Sequence, residues 1–204
     1  MFKSPKNLFK SSEPLSYAEK VLEAWSIKYR IEEDGSIVVP GDVKLSNQNL
    51  DALPDLSAVA VKGSFSCDGN RLTSLKGAPH TVGGGFYCYD NQLETLEGAP
   101  QNVGGSFSCE RNQLTSLKGA PQTVGWNFSC NGNRLASLQH APQSVRGDFS
   151  CTGNKLANLE HAPRNCRIIS DFGNFASWAD VPQQLHAAPA VKKTVVKYPR
   201  GFNL

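Results

Sequence analysis

The sequence predicts a solenoid, in which successive coils of the chain stack and each coil adds a strand to a parallel β-sheet. Three observations support this prediction. A unit of 21 residues recurs five times, the same residue types return to seven slots of the unit, and Gly and Pro stand at fixed places between those slots. With 204 residues, of which 39% are hydrophobic and 19% charged, the chain is long enough to bury a substantial core.

The repeat unit reads V-x-x-x-F-x-C-x-x-N-x-L-x-x-L-x-x-A-P-x-x. Its most regular column is made of cysteines, at Cys67, Cys88, Cys109, Cys130 and Cys151. Phenylalanine precedes each cysteine by two positions, and asparagine follows each cysteine by three. Five copies with seven matching slots exclude a chance pattern, and they make the repeat the unit of the fold.

Each slot has a physical interpretation. Phe and Cys are two residues apart, so they point to the same side of a short strand. Asn can end the strand by bonding to neighbouring backbone, and the two Leu three residues apart suit an irregular or short helical return segment. Ala-Pro makes the second corner because proline fixes φ and lacks an N–H donor. We therefore expect one strand per coil, with strands about 4.8 Å apart.

The F-x-C-x-x-N-x-L-x-x-L core of the unit resembles the leucine-rich-repeat consensus, with Phe and Cys in two leucine slots. Its length resembles the short, 21-residue bacterial class, and the G-A-P-x-x-V-G-G spelling is similar to leucine-rich-repeat proteins of tailed bacteriophages. The resemblance covers about residues 41–185. It implies a leucine-rich-repeat solenoid with its parallel sheet on the concave face, but it implies no particular partner.

The sequence divides into four regions. Residues 1–15 are expected to be a mobile basic segment, and residues 16–40 a cap made of an α-helix and a β-hairpin. The helix should run from about Tyr17 to Ile27, because Ser16 and Glu19 fit a capping box and apolar residues follow at helical spacing. Asp34-Gly35 between two apolar runs predicts the hairpin turn.

Repeats occupy residues 41–165, beginning with a degenerate copy displaced by one residue. A further degenerate repeat and a C-terminal cap or tail occupy residues 166–204. There we expect Cys166 in the Val slot and Phe175 and Trp178 in the two Leu slots, with the strand segment between shortened by two residues. Residues 194–198 are predicted to add a last strand.

The cysteines and histidines offer little chemistry. A linear ladder of inward-facing thiols cannot surround a zinc ion, and an odd number of parallel side chains favours free thiols and a reducing compartment over disulfides. His140 and His161 share a slot that is Gly in earlier copies; we interpret them as solvated turn residues, with a two-histidine metal site as the alternative. Catalytic motifs are missing from the sequence, and Gly83-Gly84-Gly85 precedes a strand rather than a helix. We therefore expect no enzymatic activity, no metal and no cofactor.

The positions that flank Phe and Cys are free of the repeat pattern, so a partner could be recognised there. In the second to fourth copies these positions combine exposed aromatic and charged residues with small polar ones, a composition typical of interface hot spots. The alternative for Trp126 is that it only covers the strand edge. The predicted partner-binding residues are Tyr87, Tyr89, Asp90, Glu110, Arg111, Trp126 and Asn127.

The preferred function is a non-catalytic protein-binding module. Given the bacteriophage resemblance, it would be a phage-encoded factor that binds and inhibits a host bacterial protein in the host cytoplasm. The alternative is a structural component of a virion or an assembly, with homo-oligomers formed through the ends of the solenoid. Nucleic-acid binding is disfavoured by a net charge of only +3, although basic residues do cluster near both termini, at Lys3, Lys6, Lys10, Lys192, Lys193, Lys197 and Arg200. A membrane partner is excluded by the lack of any long apolar run.

Overall fold

A computed structural model describes residues 16–187 and shows a parallel β-solenoid whose coils repeat about every 21 residues. The described chain begins with helix α1 (Tyr17–Ala24), followed by β1 (Arg30–Ile31) and β2 (Ile37–Val39). The expected mobile segment 1–15 and the predicted strand at residues 194–198 lie outside the described residues.

Two sheets run along the solenoid. Sheet A has seven strands in the spatial order β1-β2-β4-β6-β8-β10-β12, and sheet B has eight in the order β15-β14-β13-β11-β9-β7-β5-β3. After β1 and β2, the strands of sheet A are β4 (Val59–Val61), β6 (Thr81–Val82), β8 (Asn102–Val103), β10 (Thr123–Val124) and β12 (Ser144–Val145). Those of sheet B are β3 (Val43–Lys44), β5 (Phe65–Ser66), β7 (Phe86–Tyr87), β9 (Phe107–Ser108), β11 (Phe128–Ser129), β13 (Asp148–Ser150), β14 (Arg167–Ser170) and β15 (Gly173–Phe175).

The structure confirms the parallel solenoid but corrects the expectation of one strand per coil. The Val slot, to which no strand was assigned, forms a second strand in every central coil. Val82, for example, pairs in register with Val61 and Val103. The reason is that Val slots are buried while their neighbours Thr81 and Thr123 are exposed, so even two residues per coil alternate as a strand does.

The interior consists of rows of identical side chains. The five phenylalanine rings stack with centroids 5.3–5.4 Å apart and planes within 17° of parallel. The cysteines of the repeat are fully buried beside them, as predicted. The thiols of four of them donate to main-chain oxygens of the next coil, namely those of Cys88, Cys109, Cys130 and Cys151. Cys88 Sγ, for example, lies 3.4 Å from the oxygen of Ser108. All six cysteines are free.

A second ladder, of asparagines, joins the coils at the end of sheet B. The amide nitrogen of Asn112 donates to the Cys88 oxygen on the preceding coil at 3.0 Å and to the Cys109 oxygen on its own coil at 3.1 Å. Its amide oxygen accepts from the Leu93 N–H at 3.0 Å. Asn70, Asn91, Asn133 and Asn154 repeat this arrangement. One buried side chain per coil thus satisfies the backbone groups that the turn would leave without partners.

At the N-terminal end, Ser16 and Glu19 form a reciprocal capping box, and helix α1 buries Ala18 and Leu22 against the core. The helix ends three residues earlier than the periodicity predicts, and Ser26 adopts a positive φ of 56° just after it. Strands β1 and β2 pair antiparallel through the turn at Asp34-Gly35. None of the helices among residues 16–187 is long and apolar enough to cross a membrane.

At both ends of the repeat region, the number of residues between paired strand positions departs from 21. Val43 pairs with Phe65, a step of 22 residues, and Phe149 pairs with Ile168, a step of 19. The second value matches the expected shortening by two residues. Phe175, however, lies on β15, antiparallel to β14, rather than on a return segment; two short 3-10 helices, Trp178–Asp180 and Gln183–Leu185, then close the described chain.

Candidate functional site

The predicted partner-binding residues lie on or next to strands β7, β9 and β11 of sheet B. Along β5, β7, β9 and β11, the residue after each buried phenylalanine points outward, and these residues stand in register as Ser66, Tyr87, Ser108 and Ser129. Two positions later comes a second outward row, containing Asp68, Tyr89, Glu110 and Asn131. Because parallel strands keep one register, side chains from different coils are fixed as neighbours about 4.8 Å apart.

Tyr87 does not stand free on this face. Its ring lies over the Cα of Gly85, where a Cβ atom would come within 2.5 Å of the ring carbon Cζ, and its side chain is only half-exposed. Gly85 occupies a position that is Ser or Asn in the neighbouring coils, at Ser64, Ser106 and Asn127. The missing side chain therefore leaves the space that the tyrosine ring fills, and Tyr87 presents one face rather than a projecting ring.

Tyr89 is anchored toward the N-terminal coils. Burial, followed by the charge of Asp68 and a hydrogen bond to its carboxylate, raises the pKa of Tyr89. Asp68 is itself 8% exposed and accepts a hydrogen bond of 2.6 Å from the Ser46 hydroxyl. Ser46 and Asp68 therefore form a polar pair across two coils, and Tyr89 lies next to this pair on the third coil.

Arg111 brings the charged members of the site together. Its Nε lies 2.6 Å and its Nη2 lies 2.8 Å from the two carboxylate oxygens of Asp90, while Nη1 lies 3.3 Å from Glu110 Oε2. The guanidinium carbon is 5.6 Å from the centre of the Tyr89 ring. The hydrogen bonds to Asp90 raise the pKa of Arg111, and the same bonds lower the pKa of Asp90. The structure thus joins Tyr89, Asp90, Glu110 and Arg111 in one cluster, termed the Arg111 cluster below.

Trp126 is the most exposed large apolar residue of the face, with 67% of its surface accessible. It lies just before β11, between Gly105 on the preceding coil and Gly147 on the following one, and its backbone bonds to both. Neither neighbour has a side chain to cover the indole. Ser129 on β11 is the residue in register with Tyr87, and Trp126 precedes it by three residues. Trp126 is therefore displaced from Tyr87 by two strand spacings across the sheet and by three residues along the strand direction, and it is separate from the Arg111 cluster.

Asn127 is the one predicted site residue with a clear structural task. Its side-chain oxygen accepts a hydrogen bond of 2.8 Å from the Asp148 N–H on the next coil. This bond replaces a strand contact at the corner between the two sheets. The side-chain oxygen is therefore occupied within the fold, and this exposed residue can offer its amide N–H groups to a partner.

Steric contact between successive coils explains why glycines precede the Trp126 position. A Cβ atom on Gly104 would overlap the main-chain oxygen of Gly83, and one on Gly125 would overlap that of Gly104. The corner between the sheets therefore brings the backbones of successive coils into closest approach. The result is a strip of bare backbone along the second to fourth coils, with the Trp126 indole standing at its end.

The cysteine and histidine side chains of the described residues are dispersed or buried. Among residues 16–187 there is no group of three or more His, Cys, Asp and Glu side chains that could hold a metal ion. Burial raises the pKa of the Cys88, Cys109 and Cys130 thiols well above 9.0, which opposes formation of a nucleophilic thiolate. His140 and His161 occupy the slot of earlier glycines with positive φ of 69° and 70°, and both are exposed.

Sequence reasoning missed a group of arginines at the C-terminal end of the solenoid. Arg146, Arg164 and Arg167 line one open cleft there. A signal for Arg146 was present, because it replaces the glycine found in the same slot at Gly83, Gly104 and Gly125. The meeting of the three could not be anticipated, since it depends on how the shortened last coil packs against the one before it.

Comparison with protein-family models, with curated proteins and with solved structures finds no match to this chain. A function for the chain is therefore inferred from the fold and the geometry of the site.

Proposed function

We propose that the protein is a non-catalytic binding module that docks a partner protein against the outer face of sheet B. The contact would centre on Trp126 and extend to Tyr87 and the Arg111 cluster. In keeping with the resemblance to bacteriophage leucine-rich-repeat proteins, the partner is a host bacterial protein in the cytoplasm, and binding inhibits it by covering a surface that it needs.

The observation that carries this proposal is the exposure of Trp126. The interior of the solenoid takes up the phenylalanine and leucine side chains of the repeat, and the other outward positions near Trp126 are Gly, Ser and Asn. Removing a tryptophan ring from water stabilises a complex by several kcal/mol, on the order of 25 cal/mol per Å². Tryptophan is accordingly among the residues most enriched at the centre of protein interfaces.

The surroundings of Trp126 suit docking in two ways. The sheet is held by continuous rows of Phe, Cys and Asn, so little conformational entropy is lost when a partner binds. The glycine strip lets a partner approach the backbone closely, and the Arg111 cluster adds a charged rim whose members are already paired with one another. A partner with an apolar side chain at its centre and polar groups around it would fit this surface.

The proposal is tested with Trp126→Ala, alone and combined with Tyr87→Ala, in the full chain. The matched control is Tyr17→Ala, because Tyr17 is similarly exposed at 64% but lies on helix α1 at the far end. A partner recovered from bacterial lysate by the unaltered protein is purified, and its dissociation constant is measured by surface plasmon resonance with each variant.

We expect Trp126→Ala to weaken binding by at least about tenfold, which corresponds to roughly 1.4 kcal/mol, and Tyr17→Ala to leave it unchanged. Circular dichroism establishes that each variant is folded. The proposal is wrong if a folded Trp126→Ala, Tyr87→Ala double variant binds with unchanged affinity, or if the partner's activity is the same with and without the protein.

The structural alternative has its own observation. Strand β1 is the outer edge of sheet A, and Ile31 on it is 54% exposed, so this edge could pair with a second copy. In the preferred function, helix α1 and the β1–β2 pair instead act as a cap that ends the solenoid. Sedimentation equilibrium distinguishes the two functions. A monomer at micromolar concentration contradicts the assembly function. An oligomer that dissociates when Ile31→Lys is introduced contradicts the role of β1 as part of a cap.

A further inference from the structure

An open cleft at the C-terminal end of the solenoid brings three arginine side chains together. It has a volume of about 520 Å³ and lies between the turn from β12 to β13, the segment before β14 and the segment after β15. Arg146 comes from one coil, and Arg164 and Arg167 come from the next. The step of 19 residues between Phe149 and Ile168 sets how these two coils lie against each other.

The charges in the cleft are not balanced. Asp148 is the single carboxylate among the described residues that line it, and its Oδ2 lies 3.9 Å from Arg167 Nη1, too far for a hydrogen bond. Within residues 16–187, neither Arg146 nor Arg164 forms an ion pair. Elsewhere in the described chain Arg30, Arg71 and Arg111 all have carboxylate partners within 2.8 Å.

Arg164 is positioned by an aromatic ring instead of by a carboxylate. Its guanidinium carbon lies 5.2 Å from the centre of the Trp178 ring. The other ring contact of Trp178 is with His186, at 4.8 Å and 25° between planes, and His186 is in turn fixed by a 2.9 Å bond between Nε2 and the Val181 oxygen. Stacking holds the guanidinium plane in place and leaves its N–H groups at the edge free to donate.

A second, smaller cavity is also lined by Arg164. It has a volume of about 390 Å³ and is lined by His140, Gln143, His161 and the Ala-Pro corners beside them, as well as by Arg164. The described lining contains no carboxylate. Glu160 is outside this lining, although its Oε1 lies 3.7 Å from Nε2 of His161. Arg164 thus lines both cavities, and Asp148 is the one carboxylate in their described linings.

From this arrangement we infer that the C-terminal cleft binds a tetrahedral oxyanion of phosphate type, held by Arg146, Arg164 and Arg167. Planar guanidinium groups match the oxygens of phosphate and sulfate through paired N–H bonds. The three arginines, less the one carboxylate of Asp148, leave a net positive charge that balances a dianion. A ligand that carries such a group, or the free ion, would supply the negative charge that the fold leaves out. This inference is independent of the partner surface around Trp126.

The test uses inorganic phosphate itself as the probe. The full chain, labelled with ¹⁵N, is titrated with phosphate, with sulfate and with chloride at constant ionic strength, and the arginine Nε–H and tryptophan indole resonances are followed by NMR. Saturable shifts of the Arg164 and Trp178 signals with phosphate and sulfate, but not with chloride, are the expected result. Shifts that grow linearly with all three salts would show general screening only and would overturn the inference.

Two variants and one control assign the effect to the cleft. Arg164→Gln should weaken phosphate binding by about tenfold or more, since each charge-assisted contact that is lost removes that much affinity. Arg146→Gln should do the same, and it serves as the second test because Arg146 does not stack on a ring. Arg134→Gln is the matched control, an exposed arginine outside the cleft with no ion pair within residues 16–187. An equal loss in the control would contradict a specific site.

Discussion

The side-chain nitrogen of Asn112 donates a 3.0 Å hydrogen bond to the main-chain oxygen of Cys88, one coil earlier. The same side chain accepts from Leu93 and donates to Cys109, with a longer contact of 3.2 Å to the Glu110 oxygen, so one amide contacts four backbone groups. Asn112 is only 8% exposed, and water cannot take over these bonds without entering the core. The stability of the coil stack therefore depends on this row as much as on the apolar rows.

We expect Asn112→Ala to destabilise the protein by about 3 kcal/mol, because several buried backbone groups lose their partner at once. The measurement is urea unfolding followed by circular dichroism. Asn102→Ala is the control, since Asn102 is exposed and its side-chain oxygen bonds only to the Thr123 hydroxyl. It should cost about 0.5 kcal/mol or less. Similar losses for the two variants would contradict the role of the ladder.

The glycine strip, formed by Gly83, Gly104 and Gly125, gives a second prediction. Gly125→Ala should destabilise the fold by about 1–3 kcal/mol, because the new Cβ would overlap the Gly104 oxygen and push adjacent coils apart. Gly41→Ala is the matched control, since nothing lies within 4 Å of a Cβ at that position and its φ is not left-handed. Thermal unfolding should show a lower midpoint for Gly125→Ala, and an unchanged or raised midpoint for Gly41→Ala.

The phenylalanine row gives a third prediction. Phe107 lies between Phe86 at 5.3 Å and Phe128 at 5.4 Å and is fully buried. Phe107→Ala should cost about 3–5 kcal/mol, and Phe107→Leu should cost less because it leaves a smaller cavity. Urea unfolding measures both. Phe172→Ala, at an exposed position, is the control, and a cost for Phe107→Ala no larger than this control would contradict continuous stacking.

The cysteine row makes stability depend on alkaline pH. Burial raises the pKa of Cys88, Cys109 and Cys130 well above 9.0, that of Cys151 to about 12 and that of Cys166 to about 11. In the unfolded chain the thiols ionise near their ordinary values, so above about pH 9 the unfolded state binds fewer protons than the folded state. The stability that the buried protonated thiols contribute is therefore fully present below that pH. The free energy of unfolding falls as the pH rises above it.

Urea unfolding in reducing buffer between about pH 7.5 and pH 10.5 measures this effect, which approaches about 1.4 kcal/mol per pH unit for each protonated buried thiol. Cys88→Ala should show a shallower decline than the unaltered protein, because one titrating group is removed. The slope is the quantity compared, since the substitution also lowers stability at all pH values. Identical slopes would show that Cys88 ionises equally in both states.

The sequence was sufficient for the interior of the coils but not for their number of strands. Phe86, Cys88, Asn91 and Leu93 recur so strictly that only one set of inward positions agrees with the period, and all are buried. The second strand of each coil escaped prediction because it is only two residues long, as in Thr81–Val82, and has no pattern of its own. Its existence depends on pairing with the next coil, which is a tertiary property.

The surface was less predictable, because outward residues obey no repeat. The spacing places Tyr87 and Tyr89 on the same face, yet it does not show that Tyr87 lies down over Gly85 while Tyr89 is held by Asp68. The pairing of Arg111 with Asp90 likewise depends on two positive φ angles, 48° and 53°, at the end of neighbouring strands. Side-chain direction at such turns follows from local backbone geometry rather than from residue type.

The two irregular steps, of 22 residues at the start and 19 at the end, mark where the chain stops copying itself. Between them each coil touches mainly its immediate neighbours, so a whole unit could be inserted or deleted without changing any inner row. Such an event would move Trp126 by one strand spacing relative to the arginine cleft and leave both intact. The distance between the Trp126 surface and the arginine cleft can thus change during evolution in steps of one coil.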